Sequence, residues 1–365
     1  MKTTRFNQAH KNHGAKLVDF AGYEMPVQYS SIITEHKAVR ESAGVFDVSH
    51  MGEFFVEGPE AEKFVNYIAT NDVTKLFDGK VQYSTMLYEN GGIVDDLLVY
   101  RFNNQKYMLV VNASNIEKDF EWVTKNNKFD CTITNKSDDY NLLAVQGPNS
   151  TKILEKLLNI KIDLEYYTFY VNPMKYKELE LLLSRTGYTG EIGYELYFTG
   201  NENQCLELWN DLMAAGKEFG LVPAGLGARD SLRLEVGYCL YGNEIDQNTN
   251  PLEAGLGWIT KLNKENFIGK DALLKVKENG LSRKLVGIIS EEKCFPRHNT
   301  EVTIDKNKIG FVTSGTVSPI LNYPIAMAYV STEYAKEGTE VNFFIREKEY
   351  KAKVVKLPFV KNNAF

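Results

Sequence analysis

The 365-residue sequence predicts an α+β fold that ends in a separate all-β module. Three observations lead there. Short alternating apolar runs, read as strands, recur along the chain between Gly, Pro and Asn turns. Helix-period segments fall among them without the regular strand–helix alternation of a doubly wound sheet. Beyond residue 284 the helical pattern stops. LVGIIS, EVTI, KIGFVTSG, IAMAYV, VNFFIRE and YKAKVVKLPF then follow as short strands spaced by turns, a small barrel or sandwich.

Taken in order, residues 31–43 read as a helix closed by Gly44 as its C-cap. VFDVSHMGEFFVEG alternates and reads as strand. Gly58-Pro59 opens a helix, with Pro in its first turn. YSTMLYE and GGIVDDLLVYRF are strands either side of a glycine turn, and YMLVVNAS follows the Asn103-Asn104 turn. Residues 116–127 are helical. LLAVQGP is a strand and STKILEKLLN a helix, while ELELLLSRTGYTGEIGYELYF is strand, glycine-rich turn and strand. Residues 204–219 form a helix with an apolar face, and ARDSLRLEVG a helix within a long polar stretch. KVKENGLSRK, at 275–284, is polar, carries an Asn-Gly pair and reads as a linker. The expected division is therefore residues 1–275, two intertwined α+β domains, and 284–365, the all-β domain.

Composition excludes several classes. A net charge of −6, with Lys and Arg scattered, argues against a nucleic-acid partner. Cys131, Cys205, Cys239 and Cys294 are far apart and form no CxxC, so they read as thiols of a reducing compartment. His10 and His13 could share a helix face, but no HExxH or carboxylate-rich pattern supports a metal, and none is expected. The N-terminus has no apolar signal region and no run approaches the roughly 20 apolar residues of a membrane span. A cytoplasmic protein with no membrane partner is expected.

Chemistry concentrates in three segments. In GYTGEIGYEL, glycines permit close backbone approach to a ligand, and Tyr188 and Tyr194 could stack on a flat ring. Glu191 reads as solvated in the turn. Glu195, in the following strand, fits two readings: an acceptor for the N–H pair of an aminopyrimidine edge, or an exposed hairpin glutamate. In ARDSLRLE, Arg229 and Arg233 share a helix face; Arg229 could clamp a carboxylate or make a surface ion pair. In GGIVDDLLVY, strand alternation turns Asp95 and Asp96 to opposite faces, so they are not a proton-sharing dyad. Either both cap the Gly91-Gly92 turn, or one faces a cleft. GLGARD lacks the third glycine of a dinucleotide loop, and Cys239, in GYCLYG, reads as a packed thiol.

Together HGAKLVDFAGYEMPVQY, GVFDVSHMGEF, GGIVDDLLVY, LLAVQGP, SRTGYTGEIGYEL, GLGARDSLRLEVGYCLYGNEIDQNTNPLEAGLGW and IGFVTSG span nearly the whole chain. In that order they resemble the aminomethyltransferase family, the T-protein of the glycine cleavage system. The resemblance implies a three-domain cloverleaf around a central folate cavity, with a C-terminal β-barrel. It implies transfer of an aminomethyl carbon from the lipoyl arm of H-protein, the partner, to tetrahydrofolate, the co-substrate. Asp96 matches the catalytic aspartate, expected to be anionic unless buried. Glu195 and Tyr188 match pterin-contacting positions, Arg229 the arginine at the glutamyl tail, and Trp258 a tryptophan on that route; Asn112 would support Asp96. The chain departs from some members at Met108, which removes one folate contact, and in its tail, FVKNNAF, where Lys361 or Phe365 would take the place of an arginine or tyrosine. Two alternatives share the fold. One is a tetrahydrofolate-dependent demethylase. The other is a non-catalytic folate-binding assembly factor, whose KGCYxGQE segment is here VGYCLYGNE.

Overall fold

The structure, a computed structural model, describes residues 1–365. Two mixed-length sheets pack face to face. The five-stranded sheet runs Val81–Leu87, Ile93–Asn103, Lys106–Val111, Gly52–Glu57, Thr132–Asn135, all antiparallel. The six-stranded sheet runs Met174–Tyr176, Leu179–Ser184, Gly193–Thr199, Tyr140–Gln146, Ala43–Asp47, Leu221–Pro223. Phe46, Leu142 and Tyr197 from one sheet meet Phe55, Tyr100 and Val110 from the other in a shared core. Outside the five-stranded sheet lie the helices Ala61–Ile68 and Ile116–Lys125; outside the six-stranded sheet lie Ser150–Leu158 and Glu202–Gly216. A small sheet at the N-terminus joins Lys2–Thr3, Tyr23–Gln28 and Lys16–Phe20.

The C-terminal strands close into a six-stranded barrel, not a sandwich: Arg283–Ile289, Pro324–Ser331, Asn307–Val317, Glu301–Ile304, Glu340–Ile345, Lys348–Val355. Closure leaves no unpaired edge.

Four expectations are corrected. VFDVSHMGEFFVEG is two strands in two different sheets: the Asp47 carboxylate accepts hydrogen bonds from Ser49 N (3.0 Å) and Ser49 Oγ (2.6 Å) and turns the chain between them. Gly44 is no helix cap. The helix Ile32–Glu41 starts on Ser31, whose hydroxyl accepts from Thr34 N, and ends before Gly44, which lies in a strand. A Cβ at Gly44 would stand 2.5 Å from Val39 Cγ2, so the glycine lets strand and helix approach. The polar stretch 275–284 is half helix: Lys270–Asn279 buries Leu273, and Arg283 already belongs to the barrel. Finally, the face pattern of GGIVDDLLVY breaks at Val94. Leu87 pairs with Ile93 and Met86 with Asp95, so Val94 is the extra residue of a bulge. It joins the same core as Leu97 and Val99; from Asp95 onward alternation holds.

Candidate active site

A cavity of about 840 Å³ opens where the two sheets, the helix Leu226–Glu235, the loop before the barrel and the C-terminal tail meet. All six singled-out residues line it: Asp96, Asn112, Tyr188, Glu195, Arg229 and Trp258.

Asp96 is held at both oxygens. Oδ2 accepts from Tyr83 Oη (2.8 Å) and Oδ1 from Asn112 Nδ2 (2.8 Å). Burial, and next the charge of Asp95, raise its pKa to about 7, against the pull of the two hydrogen bonds. An aspartate in water is anionic at neutral pH; this one populates both forms. Asp95 is fully buried and does not cap the glycine turn. It accepts from Asn112 N (3.0 Å), Asn112 Nδ2 (2.9 Å) and Asn115 Nδ2 (2.8 Å), fixing the segment after the Lys106–Val111 strand. The two carboxylates do face apart, yet one amide group touches both.

Glu195 is buried in the sheet facing Asp96, not on an exposed hairpin face. Its Oε2 accepts from Thr186 Oγ1 (2.5 Å), Tyr197 Oη (3.0 Å) and Tyr100 Oη (3.4 Å), and Oε1 accepts nothing from the protein. Arg229 makes no ion pair. Its guanidinium lies 4.7 Å over the Tyr188 ring, and its side chain donates to Met51 Sδ at 3.7 Å. Arg233, one turn on, is fully buried and bonded to Glu244 (2.7 Å), so the shared face predicted for the pair serves two purposes. Trp258 is 66% exposed at the mouth, tilted against Tyr83 at 6.2 Å.

Residues 6–264 match the family model described as the GCVT N-terminal domain, and 283–361 that of the glycine cleavage T-protein C-terminal barrel domain. The chain is 54% identical to the aminomethyltransferase of Halothermothrix orenii, over 99% of this chain and all of the relative. It is 50% identical to that of Chloroherpeton thalassium, over the whole of both. Among solved structures, the glycine cleavage system aminomethyltransferase T of Bartonella henselae aligns with a TM-score of 0.92 at 35% identity, covering 100% of this chain and 99% of that one. The chain belongs to the glycine cleavage T-protein family. Its mixed helices and sheets with a closed terminal barrel are the fold of that family. No helix is long and apolar enough to cross a membrane.

Within this family member, several sequence readings land elsewhere. Tyr194 lies in the core, its hydroxyl 3.0 Å from Thr151 Oγ1, and stacks on nothing in the cavity. Glu191 is buried, not solvated: Arg40 Nη1 donates to it at 3.0 Å and Asn363 Nδ2 at 3.2 Å. Met108 is fully buried between the sheets and does not line the cavity. In the tail, Asn362 and Phe365 line the wall and Lys361 does not. Asn363 N donates to Gly190 O (2.7 Å), and Asn362 Nδ2 to Tyr238 Oη (2.8 Å), pinning the tail there. His10 pairs with Asp47 at 2.9 Å. All four cysteines are free thiols, and Cys239 lines the cavity, where burial raises its pKa well above the usual thiol range.

Tyr83 is the residue that sequence reading missed. Thr85 pairs with Asp96, so Tyr83, two residues away on the same strand face, is its diagonal neighbour and within reach. The hairpin signal around Gly91-Gly92 carried that register.

Proposed function

We propose that Asp96 is the carboxylate around which aminomethyl transfer is organised in this chain. The chain is a tetrahydrofolate-dependent aminomethyltransferase of the glycine cleavage system. The reaction takes an aminomethyl group from the lipoyl arm of H-protein and gives 5,10-methylenetetrahydrofolate, ammonia and dihydrolipoyl H-protein. Tetrahydrofolate supplies the nucleophilic nitrogen that accepts the carbon.

The cavity suits that co-substrate. Glu195 leaves Oε1 open to an N–H edge while three hydroxyls hold Oε2. Arg229 offers a guanidinium without a carboxylate partner for the glutamyl carboxylate, backed by Tyr188. Trp258 flanks the mouth on the same route.

Loss of ammonia leaves positive charge on the transferred carbon, and a fixed carboxylate beside it lowers that barrier. Tyr83 and Asn112 fix both Asp96 oxygens before reaction. A carboxyl titrating at about 7 can also hold or release a proton at neutral pH. The observation that carries this assignment is the raised, doubly held Asp96 in the cavity that also contains Glu195 and Arg229.

The test is Asp96→Asn with aminomethylated H-protein and tetrahydrofolate, following ammonia and methylenetetrahydrofolate. Turnover should fall by at least about a hundredfold with folate affinity nearly kept. Full activity would remove Asp96 from the chemistry. Turnover of a free methyl donor, with none from H-protein, would favour the demethylase reading.

A further inference from the structure

Behind Asp96 lies a second carboxyl pair that the chemistry above does not use. Asp95 and Asp119 are both fully buried. Asp119 sits in the first turn of the helix Ile116–Lys125. The amide donors all go to Asp95: Asn112 N, Asn112 Nδ2 and Asn115 Nδ2. Both Asp119 oxygens are without any N–H or O–H donor. Asp119 does contact Asp95 within hydrogen-bonding range.

Two adjacent buried carboxyls cannot both be ionised. Which one keeps the proton follows from the donors. Three amide hydrogens stabilise charge on Asp95 and none stabilises charge on Asp119. The one cation nearby does not reverse this. Lys118 Nζ stands 3.5 Å from Asp119 Oδ1, and it donates instead to Val94 O and to Tyr241 Oη (3.2 Å). The other titratable groups facing the pair are Asp96, Tyr88 and Tyr241, with Asp246 behind Tyr241; none adds positive charge.

We propose that Asp119 is a positioning residue for aminomethyl transfer: as a neutral acid it donates a hydrogen bond to Asp95, and the chain Asp119–Asp95–Asn112–Asp96 fixes the catalytic carboxylate. This rests on Asp96 being that carboxylate. Burial, and then the charge of Asp95, raise the Asp119 pKa to about 11, consistent with a retained proton. The chain works through Asn112. Its Nδ2 bonds Asp95 Oδ1 at 2.9 Å and Asp96 Oδ1 at 2.8 Å, and a flipped amide would present its oxygen to two carboxylates. An ionised Asp95 therefore sets the direction of the amide, and its charge raises Asp96. Without the proton donor at 119, Asp95 loses one of the hydrogen bonds that hold its charge against burial, its pKa rises, and both effects weaken.

The experiment compares Asp119→Asn with Asp119→Leu in the full chain, measuring kcat, the KM for tetrahydrofolate, and the pH profile of kcat. An asparagine keeps a donor that never ionises, so its kcat and acid limb should match the unsubstituted protein. Leucine removes the donor: kcat should fall by about tenfold to a hundredfold, KM should hold, and the acid limb should move to lower pH. Equal damage in both variants overturns the proposal, because it would mean that an ionised Asp119 is what matters; an undisturbed leucine variant overturns it too. Should Asp119→Leu fail to fold, infrared difference spectra decide. A protonated-carboxyl band that persists at pH 8 and vanishes in Asp119→Asn supports the proposal; no such band overturns it. That band does not depend on Asp96, so an active Asp96→Asn variant beside an intact band would reject the catalytic assignment and leave the Asp119 proton standing.

Discussion

Asn112 has two side-chain hydrogens, and each goes to a different carboxylate. That single amide gives adjacent strand residues, pointing apart, a common mooring. The consequence is a pH dependence of known sign. The pKa of Asp96 is about 7 in the folded chain, above an unfolded value near 3.9. The fold thus binds more protons than the unfolded chain between about pH 4 and 7, and its stability declines as pH rises through that window. Asp96→Asn should flatten this slope, read as thermal midpoints from pH 5 to 8; an unchanged slope would place the titration elsewhere. Arg229 carries the opposite hazard, a half-buried positive charge with no carboxylate beside it. Arg229→Ala should raise the KM for tetrahydrofolate by about tenfold to a hundredfold, the loss of one charged hydrogen-bonded contact, with kcat little changed. An unchanged KM would mean that Arg229 does not meet the substrate.

At the scale of elements, the helix Ala61–Ile68 ends on a buried lysine. Lys264 Nζ donates to the carbonyls of Asn66 (2.6 Å), Ala69 (2.6 Å) and Asn71 (2.9 Å), three acceptors for three ammonium hydrogens. Lys264→Met should destabilise the chain by about 2–4 kcal/mol in denaturant unfolding, since it leaves buried carbonyls unpaired; a loss below about 1 kcal/mol would show that water replaces the lysine. Elements like the Val81–Leu87/Ile93–Asn103 hairpin were legible because glycine and asparagine mark the turn locally. The Val94 bulge was not, since no residue type announces an extra position. The break after Asp47 was hidden because the apolar alternation continues across it, and the turn is made by a side chain. Glu191 looked solvated because its partners, Arg40 and Asn363, are 151 and 172 residues away in sequence. For the site, the resemblance brought six residues to one cavity that patterns alone left as separate alternatives; Asp119 stayed invisible within an ordinary amphipathic helix.

For the molecule as a whole, the helix Leu226–Glu235 fastens the barrel to the paired sheets. Arg233 donates to Ser314 Oγ in the barrel (2.8 Å) and to Glu244 (2.7 Å). Glu235 accepts from Ser318 on the barrel side and from His36 and Arg40 on the other. Only residues 280–282 separate the last helix from the first barrel strand. Side-chain contacts, more than the connection, thus fix the barrel against the cavity. Arg233→Met strands the buried charge of Glu244 and should cost about 3–5 kcal/mol, with faster proteolysis at 280–282 as the second readout. Intact protease resistance would mean that the remaining contacts suffice.

The thiol of Cys239 bears on handling the product. A transferase that receives a lipoyl arm, with a cysteine in the same chamber, risks attack by that sulfur on the arm's oxidised, cyclic-disulfide form, which opens the ring and cross-links enzyme to carrier. Thiol–disulfide exchange proceeds through thiolate, and the raised pKa of Cys239 leaves almost none at neutral pH. Burial thus keeps this sulfur a chemical bystander, and turnover should tolerate oxidised lipoyl carrier without accumulating a mixed disulfide.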